Sequence, residues 1–387
     1  MKTLLPFDPG PVAGQCSELD DWRARLDYKG PLPRAWEGRL RRDLEAEAVA
    51  ASTIMEGVNV TVDEVRRILA GDRTVDVNPE DRALVEGYRD AMNFVLRRAD
   101  DPSFQWNTEL LIGLHDRVLG GRYAAGAGRF RDLQRWVVTS ATGDVVFLPP
   151  TAEEVSGLVE LACQRMESME VHPAVAAAWV HISVAAIHPF ADGNGRSARV
   201  LASLAMYRGG FKRKEFTSLE EWWGRHLTEY SSAFSCLGKE FDPEADVTQF
   251  IEAHVNAQVS QVRALDLREQ VERKIWTIVE NLVSEIAPDR RLANALWDAF
   301  FGRDVTAGYY RSLTEVSPAT ATNDLAVAVA AGFLIAVGER RGRRYLAGPR
   351  LYETVGKALG LSVDGADDNA RAMIVNALSS RGAAQTS

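Results

Sequence analysis

The sequence predicts a mainly α fold with one small β-hairpin before its midpoint and a second, basic hairpin near its C-terminus. Three observations carry this. Apolar residues recur at helical spacing through most of the chain, as at Ala83, Leu84, Tyr88, Met92 and Val95, and again at Phe250, Ile251, Val255, Val259 and Val262. Val137-Val138 and Val145-Val146-Phe147 flank a Thr142-Gly143-Asp144 turn, which is a hairpin signal. From about Asp289 the pattern changes to three short helices followed by the run Ile335 to Gly348, whose turn is rich in arginine.

Residues 1–33 are rich in Pro and Gly and are expected to form mostly an extended arm. Residues 34–56 combine strong helix formers with charge pairs at helical spacing. This helix should stop at Gly57, and Glu56 taken alone is a solvated carboxylate at its end. Thr61 with Glu64 forms a capping-box pattern over 61–70. Helices follow over 79–98 and 108–119, and His115 in the second is expected to pack in the core. Residues 151–168 and 172–208 continue the helical core, with His172 and His181 packing or orienting rather than reacting. Residues 217–236 should form one amphipathic helix carrying Trp222, Trp223, Leu227 and Tyr230, and 247–282 a long one. The segment from about Gly365 is expected to be a polar, small-residue tail.

With 387 residues and 46% apolar content, the chain can form two or three domains with real cores. A net charge of −9 gives no global attraction to nucleic acid or anionic membrane. Cys16, Cys163 and Cys236 show neither a disulfide framework nor a zinc spacing, which fits a reducing compartment. No apolar run reaches transmembrane length. The first residues place Pro and Gly where a signal peptide needs a continuous apolar stretch, so a cytoplasmic location without membrane contact is expected.

The run from His188 to Arg199, HPFADGNGRSAR, concentrates chemistry. It follows the buried helical stretch Ala174 to Ile187, and Pro189 cannot continue that helix. Glycines ahead of the next helix let backbone N–H groups converge, and the helix N-terminus adds partial positive charge, so the loop suits a phosphate. Arg196 and Arg199 can clamp further phosphate oxygens. Asp192 is a hard oxygen ligand suited to Mg²⁺ on a nucleotide, and His188 can accept a proton from a hydroxyl near neutral pH. Phe190 is expected to anchor the loop by packing.

These residues resemble the Fic family signature H-P-F-x-D-G-N-G-R-x-x-R, complete here as His188, Pro189, Phe190, Asp192, Gly193, Asn194, Gly195, Arg196 and Arg199. The resemblance extends from about Trp36 to about Val262. It implies a helical core whose hairpin serves as a flap, entered through Gly128-Arg-Phe-Arg131. It implies transfer of AMP from ATP, with Mg²⁺, to a Tyr, Thr or Ser hydroxyl of a target protein. In that scheme His188 is the base, Asp192 holds the metal, and Gly193, Asn194, Gly195, Arg196 and Arg199 bind the nucleotide. Ser52 to Gly57 resembles the family's inhibitory motif (S/T)-x-x-x-E-(G/N), which implies that Glu56 pairs with Arg199 and hinders ATP. The target would dock along the hairpin at 137–147, and self-modification and a homodimer are further expectations. Removal of AMP, or transfer of another phosphate-containing group by the same site, stays open.

The C-terminal pattern resembles a winged helix-turn-helix, with Ser317-Pro318 starting the recognition helix and Arg340, Arg341, Arg343 and Arg344 in the wing. The helix from Ala319 to Val329 offers Thr320, Thr322 and Asn323 but no Arg or Lys to grip guanine, so DNA is the less favoured partner. A DNA-binding regulator with a nucleotide-sensing core remains the non-enzymatic alternative. The expected layout is therefore an N-terminal part at 1–107 with the inhibitory motif, a Fic core at 108–265, a linker helix and winged-helix domain at 266–360, and a tail at 361–387.

Overall fold

The computed structural model describes residues 4–28, 34–73, 75–138, 142–213, 216, 219–339, 342–363 and 368–383. It divides into two compact units, 1–263 and 264–387.

In the first unit, helices α1 (Ala13–Tyr28), α2 (Arg34–Ile54), α3 (Val62–Leu69), α4 (Pro79–Ala99) and α5 (Thr108–Val118) precede a hairpin of β1 (Val137–Val138) and β2 (Val145–Phe147). Then come α6 (Ala152–Ser168), α7 (Pro173–Ile187), α8 (Asn194–Arg208), α9 (Leu219–Arg225), α10 (Leu227–Ala233) and α11 (Thr248–Ile286), within which the division falls. Helix α7 is the spine. Ala177, Ala178, Trp179, Ile182 and Ala186 are completely buried along it, and α8 packs against it. Its small residues let neighbouring helices approach closely, so the loop between α7 and α8 stands on a rigid base.

Local chemistry sets the ends. Thr61 and Glu64 make the predicted capping box of α3. Asn107 caps α5, and His172 caps α7 with Pro173 at its first position. The hairpin is antiparallel, pairing Val137 with Phe147 and Val138 with Val145 across an irregularity. Gly143 takes a positive φ at the turn, and residues 139–141 of the hairpin lie outside the described residues. Leu148, just beyond β2, bridges Glu240.

Three expectations are corrected. The segment at 1–33 is not mostly extended, because α1 occupies Ala13–Tyr28. The prolines and glycines cluster before and after a stretch of helix formers whose Cys16, Leu19 and Leu26 are buried at helical spacing. The single helix expected over 217–236 is two helices broken at His226, with Thr217 and Ser218 outside the described residues. The His226 Nδ1 bonds the Trp222 carbonyl at 2.8 Å, so the side chain competes for a backbone acceptor that a continuous helix would use. The C-terminal tail contains α16 (Asp368–Ala383), introduced below, which buries Ala370, Ile374 and Leu378 as a narrow i, i+4, i+8 stripe.

The second unit follows α11 with α12 (Ala293–Phe300), α13 (Ala307–Thr314) and α14 (Pro318–Ala330). It continues with the antiparallel strands β3 (Leu334–Val337) and β4 (Arg344–Ala347), then α15 (Pro349–Ala358) and α16. Ser317 caps α14 through Thr320 N–H, as the sequence indicates. The Thr322 hydroxyl bonds the Pro318 carbonyl and the Thr320 hydroxyl meets Ser317, so both are engaged by their own helix. Asp324 turns the other way and binds Arg291 and the Tyr310 hydroxyl. At the start of β4, Arg344 pairs with Asp304, while Arg340 and Arg341 lie outside the described residues.

Candidate active site

The site forms where α7 ends. His188 adopts a left-handed conformation, φ 49° and ψ 57°, and its N–H closes the helix on the Val184 carbonyl at 2.9 Å. Pro189 enforces the break. The chain then turns through Phe190 to Gly193 and enters α8, with Gly193 as the left-handed N-cap, φ 77°. The first backbone N–H groups of α8 have no helical acceptor, which makes this end an anion receptor.

The loop is closed from within. Asn194 is buried, accepting from Phe190 N–H at 2.9 Å and donating to the Phe190 carbonyl at 3.0 Å. Its side chain is thus spent on loop closure, and what it offers an anion is its backbone N–H. Phe190 is fully buried and stacks on His115, with ring centroids 3.6 Å apart and 5° between planes. His115 also accepts from Gly128 N–H on Nδ1 at 3.2 Å and meets the Asp192 carbonyl with Nε2 at 2.8 Å. The first bond fixes the tautomer, leaving Nε2–H as the donor to Asp192. His115 therefore does more than pack. It ties the entry of the hairpin to the anion loop, and nothing in its own sequence neighbourhood signals this.

Arg131 ties the hairpin to the base. Its guanidinium donates to the His188 carbonyl at 2.8 Å and also to the Leu133 and Pro150 carbonyls, while its N–H donates to the Pro189 carbonyl. His188 itself is half-buried. Burial lowers its pKa to about 4, with Arg131 acting in the same direction and the Ala185 carbonyl, Glu56 and Asp192 opposing it. At neutral pH the imidazole is uncharged and available as a base.

The two arginines of α8 are both buried, yet differently placed. Arg196 Nη2 pairs with Asp192 Oδ1 at 3.0 Å, and its Nε lies 3.9 Å from Glu56 Oε2. Its Nε and Nη1 are buried without a hydrogen-bond partner. Orphaned guanidinium donors are costly unless an acceptor arrives, which is the mark of an anion site. Arg199 Nη2 binds Glu56 Oε1 at 2.8 Å and the Ser52 carbonyl at 3.0 Å, its Nε binds the Ser52 hydroxyl at 2.9 Å, and its Nη1 meets the Tyr230 hydroxyl at 3.3 Å. Burial opposes the charge of Arg199, but Tyr230, Glu56 and Tyr88 outweigh it and hold the guanidinium protonated.

Glu56 reaches this point because α2 ends beside α8. Thr53 is buried and bonds back to Val49 and Ala50, and Gly57 takes a left-handed φ of 83° that turns the chain away. A Cβ on Gly195 would overlap Glu56 Oε1, so the Glu56 carboxylate lies against the glycine in the first turn of α8. The structure thus brings together His188, Asp192, Gly193, Asn194, Gly195, Arg196, Arg199 and Glu56. Sequence reasoning named Ser52, Tyr230 and Tyr88 only as parts of a motif or an apolar stripe and gave them no contact here; the Tyr88 hydroxyl donates to Glu220 at 2.7 Å. These meet only through long-range packing.

Asp192 Oδ1 also accepts from Gly193 N–H at 2.6 Å, and the side chain is more than half exposed. Among the described residues no three His, Cys, Asp or Glu side chains form a metal cluster. A lone exposed carboxylate beside an anion receptor fits Mg²⁺, which keeps several waters and shares its ligands with phosphates.

Two consequences can be measured. Gly193→Ala places a Cβ 3.3 Å from His115 Nε2 and Leu119, at a backbone angle that costs an L-residue about 1–2 kcal/mol. The melting temperature is expected to fall by several degrees, with phosphate affinity falling too; an unchanged melt would contradict this account of the loop. The second concerns acid. His115 and His188 are lowered to about 4 and His254 to about 3, by burial in every case. Unfolded imidazoles titrate near about 6.5, so below that pH the unfolded chain takes up protons that the folded chain refuses. Stability should decline progressively from about pH 6.5 to about pH 4, seen as a lower thermal midpoint at pH 5 than at pH 7.5.

Fold and loop together define a helical domain with a glycine-bounded anion receptor, a neutral histidine at its rim and a carboxylate on its second arginine. Residues 105–206 match the family model described as the Fic/DOC family. The chain is 27% identical over 185 residues to a protein adenylyltransferase Fic of Nematostella vectensis, covering 47% of this chain and 40% of the relative. It is 34% identical over 103 residues to protein adenylyltransferase fic-1 of Caenorhabditis elegans, covering 26% of this chain and 19% of the relative. The chain therefore matches less than half the length of these curated relatives. Among solved structures, a Fic family protein from Desulfovibrio desulfuricans G20 aligns with a TM-score of 0.54 at 20% identity, covering 86% of this chain and 95% of that one. A Fic-1 structure from C. elegans aligns at 0.52 and 21% identity, covering 65% and 70%. These two likenesses concern the fold. Among the described residues no helix is long and apolar enough to cross a membrane.

Proposed function

We propose that this chain transfers AMP from ATP to a hydroxyl side chain of a protein and that Glu56 restrains the reaction. The observation that supports this most strongly is the anion receptor at the start of α8, with unpaired buried donors on Arg196 and a carboxylate holding Arg199. Backbone N–H groups of the first turn and the two arginines bind and orient the polyphosphate, stabilising charge that shifts during transfer. Asp192 would hold Mg²⁺, which supplies charge neutralisation on the phosphates. His188 accepts the hydroxyl proton, the hydroxyl oxygen bonds to the α-phosphorus, and pyrophosphate leaves. Most of the rate advantage comes from positioning.

The target segment adds beside the hairpin Val137–Phe147, next to exposed Trp136, Val138, Val145 and Val146. Arg131 then transmits the hairpin's position to His188. A cytoplasmic location, self-modification and a homodimer belong to the same reading. DNA binding by the second unit is disfavoured, because Thr320 and Thr322 are engaged by their own helix.

Label position tests the reaction class. Protein incubated with Mg²⁺ and ATP labelled at the α-phosphorus should retain label through denaturing electrophoresis in a Glu56→Gly form. ATP labelled at the γ-phosphorus should leave none. Retention of γ-label would replace AMP transfer by phosphoryl transfer.

A further inference from the structure

Arginine has five N–H donors in one plane. In Arg199, Nε–H goes to the Ser52 hydroxyl, one Nη2–H to the Ser52 carbonyl, the other to Glu56, and one Nη1–H to the Tyr230 hydroxyl. Of these four bonds only one belongs to the inhibitory carboxylate. Two belong to Ser52, which is completely buried in the last turn of α2, just before the turn that carries Glu56. When Glu56 withdraws, Ser52 still grips the Nε edge of the guanidinium. The Nη2–H that Glu56 held is freed, pointing where the carboxylate lay, against Gly195 at the mouth of the anion receptor.

We propose that Ser52 is a positioning residue of the nucleotide site, aiming Arg199 at the outer phosphates of ATP once Glu56 has moved. The end of helix α2 and the turn that follows it then have two opposite roles, blocking the site through Glu56 in the turn and building it through Ser52 in the last turn of the helix. A guanidinium buried this deeply has several rotamers to choose from without a fixed anchor. The Ser52 hydroxyl and carbonyl together select the one whose free edge faces α8. Activation is therefore a small displacement of the turn at Glu56, with the body of α2 staying docked. This rests on the ATP reading above.

The test is titration of Glu56→Gly, Glu56→Gly/Ser52→Ala and Glu56→Gly/Ser52→Thr with ATP and with AMP, each form first checked for a cooperative melt. Removing the hydroxyl should weaken ATP about tenfold, the size expected for one hydrogen bond to a charged group. AMP, which lacks the outer phosphates, should bind as before, and Thr should restore ATP affinity. In steady state the same Ala form should raise KM for ATP with kcat little changed. Equal ATP affinity in the Gly and Gly/Ala forms overturns the proposal. So does a parallel loss for ATP and AMP, which is the signature of a collapsed site, and so does failure of a folded Thr form to restore binding. If the Ala form does not melt cooperatively, Ser52→Cys is titrated instead, since it keeps the shape and weakens the acceptor. A Glu56→Gly form that binds neither nucleotide overturns the ATP reading itself, an outcome distinct from all of these.

Discussion

Replacing His188 by Ala is expected to lower AMP transfer by roughly 10²–10⁴-fold, the contribution typical of a positioned general base. ATP binding should persist, because the phosphate receptor is made by backbone N–H groups of α8 and by Arg196 and Arg199, none of which belongs to His188. The substitution carries a side effect. His188 sits at φ 49°, where Ala is disfavoured and Asn is tolerated. His188→Asn therefore separates the two roles: it keeps the helix stop and the loop, and still lacks the base. Both forms should be inactive, and the Asn form should melt closer to the parent. Transfer surviving in the folded Asn form would remove His188 from the mechanism. Because burial already holds the imidazole near a pKa of about 4, the parent should keep its base unprotonated through the neutral range, and kcat/KM should show its acid limb well below neutrality.

The second large effect is Glu56→Gly. The carboxylate makes a charge-assisted bond of 2.8 Å to a buried Arg199 and lies 3.9 Å from Arg196, and in the proposed reading it occupies the donors that phosphate oxygens would use. Removing such a bond, worth about 1.5–3 kcal/mol, frees the receptor and should raise transfer by roughly 10- to 100-fold. Fold disruption should be slight. The backbone turn at Glu56 is held by its own N–H on Thr53 and by Gly57 N–H on Ile54, and neither bond involves the side chain. Unchanged activity in a folded Glu56→Gly form would mean that the contact is only a buried ion pair.

Much of this site was legible because its residues are contiguous. From His188 to Arg199 the backbone demands of a helix break, a left-handed glycine and a helix start coincide with the chemistry, so one short run specifies both. The pairing of Glu56 with Arg199 crosses a large sequence separation and became readable only through the resemblance, since Glu56 alone has the pattern of a solvated helix end. His115, Ser52 and Tyr230 were not assigned their contacts for a related reason. Each makes its decisive bonds to partners far along the chain, and periodicity reports only which face is buried. The misjudged segments fail differently. The helix at Ala13–Tyr28 was hidden by prolines and glycines on either side, the one at Asp368–Ala383 by its small residues, and the break at His226 by a side-chain bond that no propensity encodes.

The central claim is that this anion receptor moves AMP onto protein under the control of Glu56. Intact mass after incubation with ATP and Mg²⁺ tests it most directly, comparing the natural sequence, Glu56→Gly, and Glu56→Gly with His188→Asn. One or more added AMP masses on the Glu56→Gly form, few or none on the natural sequence and none on the double form is the predicted result. Equal AMP on all three forms, or none on a Glu56→Gly form that binds ATP and is supplied with protein acceptors, would contradict it.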